Sequence, residues 1–264
     1  MIRESITELY LPYPGKDDRL VRVYVPEHDE DEQLPVIYMT DGQNVLDEAT
    51  ATFGCWHTPE AIAAERADSG QSAIIVAINN PGAAKERAEE LTPREIGAIV
   101  GPEELVSGFE PQGETFDRFV TDIVRPAVEE QFPVIKGRNG AAVCGSSSGG
   151  LEVFYIALRH PDVYCAAGVF SPAFMFYATE DIGRWVISRL QEGMPYLYLY
   201  SGGQDELEQM ILQYTEEVYD ILAEIYPPER LSEVVLPEQK HHESAWELVF
   251  REFLHLFLTR RGEL

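Results

Sequence analysis

The stretch Ala141-Ala142-Val143-Cys144-Gly145-Ser146-Ser147-Ser148-Gly149-Gly150 decides the fold. Its first four residues are small and apolar and end at turn formers, the pattern of a strand covered on both faces. Ser148–His160 then repeats apolar residues at helical spacing. Strand, sharp turn and helix form the context in which Gly-x-Ser-x-Gly carries chemistry. The turn strains the serine backbone and lifts its hydroxyl above the sheet edge, and the flanking glycines let strand and helix approach closely. Of the three serines, only Ser147 has glycine at both −2 and +2. The Ser148 N–H, at the head of the helix, would point at a developing oxyanion. A phosphate-binding Gly-rich turn is the weaker reading, because neither GKS/T nor GxGxxG is present.

Working outward, the same short apolar runs recur at Pro35–Thr40, Ser72–Ile78, Cys165–Phe170 and Tyr196–Tyr200, with a weaker one at Leu231–Leu236. Ile6–Leu11 and Arg19–Pro26 read as two earlier strands. Helical periodicity fills Thr58–Arg66, Thr115–Phe132, Asp205–Ile225 and Glu243–Thr259. Strands alternating with helices imply one α/β domain over residues 1–264, with a mainly parallel sheet and helices on both faces. The polar segment Asn80–Gly113 is long for a loop, so it is expected to carry function or small helices of its own.

A serine hydroxyl is a weak nucleophile and needs a base held by an acid. In such a fold the acid and then the histidine follow the serine in the chain, each near a strand's carboxyl end. After Tyr196–Tyr200 comes Ser201-Gly202-Gly203-Gln204-Asp205-Glu206, and after Leu231–Leu236 comes Pro237-Glu238-Gln239-Lys240-His241-His242-Glu243. Local sequence leaves Asp205 and Glu206 open as acids and His241 and His242 open as bases. Asp205 with Glu208 also reads as a helix N-cap with its N3 partner, which would explain the aspartate without catalysis. No HExxH and no Cys–His cluster suggests zinc, so no metal is expected.

Composition limits the partners. The chain of 264 residues has 20 Lys and Arg against 46 Asp and Glu, a formal charge of −26. That field repels nucleic acid, anionic membranes and polyanionic substrates. Three widely spaced cysteines, Cys55, Cys144 and Cys165, argue for reduced thiols in a cytoplasmic setting. The start MIRESITELYLPYPG lacks the pattern of a signal peptide, and no apolar run approaches a membrane span.

Taken together, the motifs resemble the putative esterase family of α/β-hydrolases, which includes esterase D, enterochelin-type siderophore esterases and feruloyl or acetylxylan esterases. Tyr38-Met39-Thr40-Asp41-Gly42-Gln43-Asn44-Val45-Leu46-Asp47 is similar to the family's D-G-Q-N strand end. Ile75–Asn80 followed by Arg87 and Glu90-Leu91-Thr92-Pro93 resembles its I-D-N…R…E-Y-x-P stretch, with Asn79 in place of the usual Asp. Gly145–Gly150 is similar to G-x-S-x-G-G, Gly202–Asp205 to the acid turn, and His241–Trp246 to H-N-E-x-x-W. The resemblance implies an α/β-hydrolase fold, Ser147 as nucleophile, Asp205 as acid, His241 as base, and backbone N–H groups of Gln43 and Ser148 as oxyanion donors. It implies ester hydrolysis through an acyl-enzyme, with no metal or organic cofactor. Losing one oxyanion donor would cost about 3 kcal/mol of transition-state stabilisation.

Only about 25 residues separate Phe170 from Tyr196, too few for a large cap domain. An open site for a bulky or sugar-linked ester is therefore expected, with Asp41, Asn44, Trp56, Arg87, Phe174 and Trp246 as candidate substrate contacts. A peptidase or acyltransferase would use the same triad, a non-catalytic binding protein is the rival of a different class, and a homo-oligomer stays open. Lysine occurs at only four positions, 16, 85, 136 and 240, while arginine supplies the other sixteen basic residues. An acidic, lysine-poor surface suits solubility at high salt, where self-repulsion is screened. Thermal unfolding midpoints are expected to rise between low and molar salt; unchanged midpoints would remove the salt-adaptation reading.

Overall fold

The computed structural model describes residues 1–190 and 193–264. Eight strands form one sheet: β1 (Ser5–Leu11), β2 (Arg19–Val25), β3 (Val36–Met39), β4 (Ile74–Ile78), β5 (Ala141–Ser146), β6 (Ala166–Phe170), β7 (Tyr196–Ser201) and β8 (Leu231–Val235). Their spatial order is β1-β2-β4-β3-β5-β6-β7-β8. From β4 to β8 every pairing is parallel, and β1 and β2 add an antiparallel edge. This is the α/β-hydrolase-like arrangement that the sequence implies. The helices are α1 (Thr58–Ser69), α2 (Ala84–Glu90), α3 (Glu103–Val106), α4 (Gly113–Arg118), α5 (Arg125–Gln131), α6 (Ser148–Arg159), α7 (Thr179–Arg189), α8 (Glu206–Ile225) and α9 (Glu243–Arg260).

Alternation along each central strand divides the core into two layers. Val36 and Tyr38 of β3, with Ile74 and Val76 of β4, join the layer beneath α6, packed with Leu151, Phe154 and Leu158. Ile37 and Met39, with Ile75 and Ala77, face the opposite layer, which Ile62 of α1 and Phe250, Phe253 and Phe257 of α9 complete. Both faces are thus apolar, which is why these strands read as continuous hydrophobic runs rather than alternating ones.

Three details depart from or refine the sequence reading. The helix expected over Thr115–Phe132 is broken by a π-helical turn, Phe119–Val124, between α4 and α5. Pro126 follows that turn and has no N–H to donate one turn back, so the regular ladder is interrupted there. The long polar segment does hold helices of its own, α2 and α3. Between β6 and β7 lie a short 3-10 turn, Phe174–Phe176, and α7, rather than a cap. Among the described residues no helix is long and apolar enough to cross a membrane.

One buried group in α6 has a consequence for stability. Glu152 is fully buried, and among the described residues neither carboxylate oxygen has a hydrogen-bond partner. Desolvation, reinforced by the charges of Asp117, Glu114 and Glu90, pushes its carboxyl well above the ordinary value of 4.5. The folded chain therefore retains a proton that the unfolded chain releases, so the contribution of Glu152 to stability is greatest below about pH 4.5 and declines as pH rises toward the folded-state value. Glu152→Gln removes this dependence. Its denaturant midpoint relative to the native chain is expected to climb between about pH 4 and 8, and a constant difference would show that Glu152 folds in its ionised form.

Candidate active site

The turn after β5 is the most strained point of the site. Ser147 has φ 61° and ψ −128°, in a region that side chains other than glycine seldom occupy. The strain is held by tertiary bonds. The Ser147 N–H donates to the Phe170 carbonyl at 2.9 Å, and its carbonyl accepts from Leu151 and Ala173, both at 3.1 Å. A side chain at Gly149 would run into Thr40 Oγ1, so glycine is required where α6 crosses the end of β3. Ser146 and Ser148 are buried, while Ser147 is partly open to a cavity of about 400 Å³. Ser148 opens α6, where a first-turn N–H has no partner within the helix.

The Gly42–Asn44 turn forms the opposite wall. Its entry residue Asp41 sits in the left-handed region with φ 54°. Arg87 of α2 secures it with two parallel bonds, Nε to Oδ1 at 2.6 Å and Nη2 to Oδ2 at 2.7 Å, and Asn80 Nδ2 adds a third to Oδ1 at 2.6 Å. Burial alone would lower the guanidinium's pKa, but the Asp41 charge outweighs it and the pKa is raised. Gly42 lies so close to β4 that a side chain would overlap the Ala77 backbone. The Gln43 side chain is itself engaged, its Oε1 accepting from the Asn80 N–H at 3.3 Å.

His241 lies in the loop after β8, between Leu236 and the start of α9, and its ring orientation is specified in detail. Nδ1 donates to Glu208 Oε2 at 2.6 Å. The Glu208 carboxylate has no exposed surface, and its other oxygen accepts from the Gly202 N–H at 2.7 Å and from the Ser171 hydroxyl. Ser171 in turn accepts from Trp246 Nε1 at 3.0 Å. The Trp246 ring stands edge-on to the imidazole, with centroids 5.0 Å apart and planes at 90°. With Nδ1 occupied, Nε2 is the nitrogen left to exchange a proton.

Asp205, expected to hold the imidazole, does something else. Its Oδ1 accepts from the Glu208 N–H at 2.8 Å and caps α8, and its Oδ2 accepts from the His241 backbone N–H at 2.9 Å. Desolvation would raise its pKa, but these two backbone donors hold the carboxyl below the ordinary range. Both oxygens of a short side chain are thereby spent on main chain. Glu208, one turn into α8 and a methylene longer, reaches the ring instead. The sequence did flag Glu208, but as the N3 partner of a cap; its burial beside His241 arises from the tertiary fold.

The remaining candidates separate cleanly. Ser147, His241, Asp41, Gln43, Asn44, Trp56, Arg87 and Trp246 all line the one cavity. No hydrogen bond joins the Ser147 hydroxyl to the His241 ring in this structure. Phe174 is not brought to the cavity: it is fully buried against Phe154 in the layer beneath α6. The 3-10 turn following β6 directs that ring into the core, which proximity to a strand end does not reveal. Asp41 and Asn44 have their side chains committed to Arg87, Asn80 and Glu243, so they shape the cavity rather than offer free polar groups. His242 caps α9, its Nδ1 accepting from the Ser244 N–H at 3.1 Å. Phe53, 75% exposed, stands at the cavity mouth and has no periodic signature in the sequence. Asn80 rather than the atypical Asn79 joins the Asp41 cluster. No group of three or more metal-ligating side chains is assembled among the described residues.

The family profile described as Putative esterase matches residues 15–189, a span that contains Ser147 and ends before Glu208 and His241. No curated protein matches the sequence. Among solved structures, a ferulic acid esterase superposes with a TM-score of 0.68 at 15% identity, covering 98% of this chain and 99% of its own. An enterobactin esterase from Shigella flexneri gives 0.73 at 17% identity, with 96% and 59% covered. A siderophore hydrolase from Aspergillus nidulans gives 0.69 at 19% identity, with 95% of each chain covered. At such identities the likeness establishes a shared fold.

The double role of Asp205 gives a stability test. Asp205→Ala removes the cap of α8 and the anchor of the His241 backbone, and is expected to lower unfolding stability by about 1–2 kcal/mol. A urea midpoint equal to that of the native chain would show that neither bond contributes.

Proposed function

The chain belongs to the putative esterase family and is a carboxylic ester hydrolase, and from that premise we propose that it works through an acyl-enzyme on Ser147, with His241 as base and Glu208 as the acid that holds it. The observation that carries this reading is the part-buried 2.6 Å contact between His241 Nδ1 and Glu208 Oε2, at a cavity that His241 and Ser147 both line. Asp205 then positions the base through its backbone rather than through its ring.

In this mechanism His241 Nε2 takes the proton as Ser147 Oγ attacks the ester carbonyl carbon. Glu208 accepts from Nδ1–H, fixes the tautomer and stabilises the imidazolium without taking the proton. The Gln43 and Ser148 N–H groups receive the oxyanion. As the tetrahedral adduct collapses, the C–O bond to the alcohol breaks and His241 returns its proton to the departing oxygen. Water, deprotonated by His241, attacks the acyl carbonyl, and the second collapse restores Ser147 and frees the carboxylic acid. Every proton and electron pair is accounted for by these groups, so the step sequence needs no cofactor.

The cavity favours esters with an apolar or aromatic portion, since Phe53, Trp56 and Trp246 line it beside Arg87. The structural neighbours include a ferulic acid esterase, an enterobactin esterase and a siderophore hydrolase. The charge of −26 favours a neutral ester over a polyanionic siderophore. Three buried cysteines without a disulfide among the described residues fit a reducing, cytoplasmic setting.

A fluorophosphonate probe tests the nucleophile: labelling is expected in the native chain and lost in Ser147→Ala. A folded native chain that fails to label would favour a non-catalytic binding protein. The acid is tested by kinetics on short-chain nitrophenyl esters. Glu208→Gln should lower kcat by roughly 10³–10⁴-fold, as expected when a base loses its orienting carboxylate, whereas Asp205→Asn should cost far less. The reverse ranking would return the role to Asp205. His241→Ala should be as damaging as Glu208→Gln and His242→Ala mild.

A further inference from the structure

We infer that Glu243 is a positioning residue that fixes the oxyanion loop, through Asn44, against the helix that follows the base. The inference rests on the acyl-enzyme reading and extends it to a carboxylate that the mechanism does not use.

Glu243 is the first residue of α9, two positions after His241, and is 5% exposed within the catalytic cavity. Its Oε1 accepts from Asn44 Nδ2 at 2.8 Å, a buried bond between residues 199 positions apart. Asn44 belongs to the same turn as Gln43, whose N–H the proposed mechanism assigns to the oxyanion. The rest of Asn44 is committed as well. Its Oδ1 accepts from the Thr52 N–H, its carbonyl from the Trp56 N–H, and its own N–H donates to the Asp41 carbonyl, each at 2.9 Å. Asn44 therefore gathers the turn and the 47–57 loop onto one residue, and of its bonds the one to Glu243 leads out to α9. The two surfaces also meet without a gap. A side chain at Gly54 would lie 3.1 Å from His242 Cε1 and 3.3 Å from Glu243 Cβ.

The path from oxyanion donor to base is thus short and stiff: Gln43, Asn44, Glu243, then two residues of backbone to His241. Both ends must be correct together, because donors placed for the transition state act only when the attacking and accepting groups are in register. Removing the Glu243 carboxylate leaves a buried amide N–H without its acceptor and frees the turn to shift. The interaction it serves is made in the transition state, so the loss appears in kcat rather than KM. Glutamine keeps a carbonyl acceptor at the same reach, and should recover most of the loss. Burial, aided by the Asp41 charge, raises the Glu243 pKa, in keeping with a group that works as a hydrogen-bond partner.

The test is a double-mutant cycle on nitrophenyl acetate, with Ser147→Ala measured alongside. Glu243→Ala and Asn44→Ala are each expected to lower kcat by roughly 10–100-fold with little change in KM, and the double variant to be hardly worse than either. Glu243→Gln should regain most of the activity. Losses that multiply in the double variant, a Gln variant no better than Ala, or a Glu243→Ala kcat within about twofold of native would each overturn the inference. Should Glu243→Ala fail to fold, an undiminished kcat in Asn44→Ala overturns it equally. Hydrolysis that survives Ser147→Ala would sink the acyl-enzyme reading itself, and is thereby distinguished from failure of the Glu243 link.

Discussion

The site depends on the burial of one carboxylate. Removing Glu208 from water is costly unless each oxygen finds donors. It finds them in three places: the Ser171 hydroxyl just beyond β6, the Gly202 N–H just beyond β7, and the His241 ring beyond β8. Three adjacent parallel strands end side by side, and the carboxylate sits where their loops converge. The sheet is what makes this supply of donors possible, because parallel strands bring all their carboxyl ends to one edge.

The arrangement also explains local strain. Ser171 has φ 40°, unusual for a residue with a side chain, and its N–H donates to the Tyr200 carbonyl at 2.6 Å. Held in that conformation, its hydroxyl gives one hydrogen bond to Glu208 and receives one from Trp246. Strained Asp41 and Ser147 line the same cavity, and strained Ser171 is bonded to the carboxylate that holds the His241 ring, each secured by bonds from a neighbouring element. Asp205 and Glu208 divide the handling of one histidine between them, the former holding its main chain and the latter its ring. The N-cap geometry makes that division possible, since a capping side chain reaches the N–H three residues on and so brings Asp205 next to Glu208.

Much of the fold is legible in the sequence alone. The parallel strands announce themselves as apolar runs because both faces are covered, and Val36 to Met39 need no partner to be recognised. The Ser147 turn is legible because its glycines are obligatory. What escaped had no local signature. Glu208 reads as half of a capping box, but in the structure only Asp205 caps, accepting from the Glu208 N–H, while the Glu208 carboxylate turns to Gly202, Ser171 and, through the approach of the β8 loop, His241. Phe174 follows a strand end, yet a 3-10 turn sends it into the core. The π turn near Pro126 and the reach of Asn44 to Glu243 are likewise products of packing rather than of spacing.

The order of the elements along the chain has its own outcome. Ser147 is held by contacts with β6 and the turn after it, whereas its partners arrive with α8, β8 and the head of α9. A nascent polypeptide emerging from the ribosome can therefore shape the serine turn first, before Glu208 and His241, which the proposed mechanism requires, have been made. On the proposed mechanism the serine is armed only by segments translated after it, so chains arrested before the loop that follows β8 would stay chemically inert toward the esters around them.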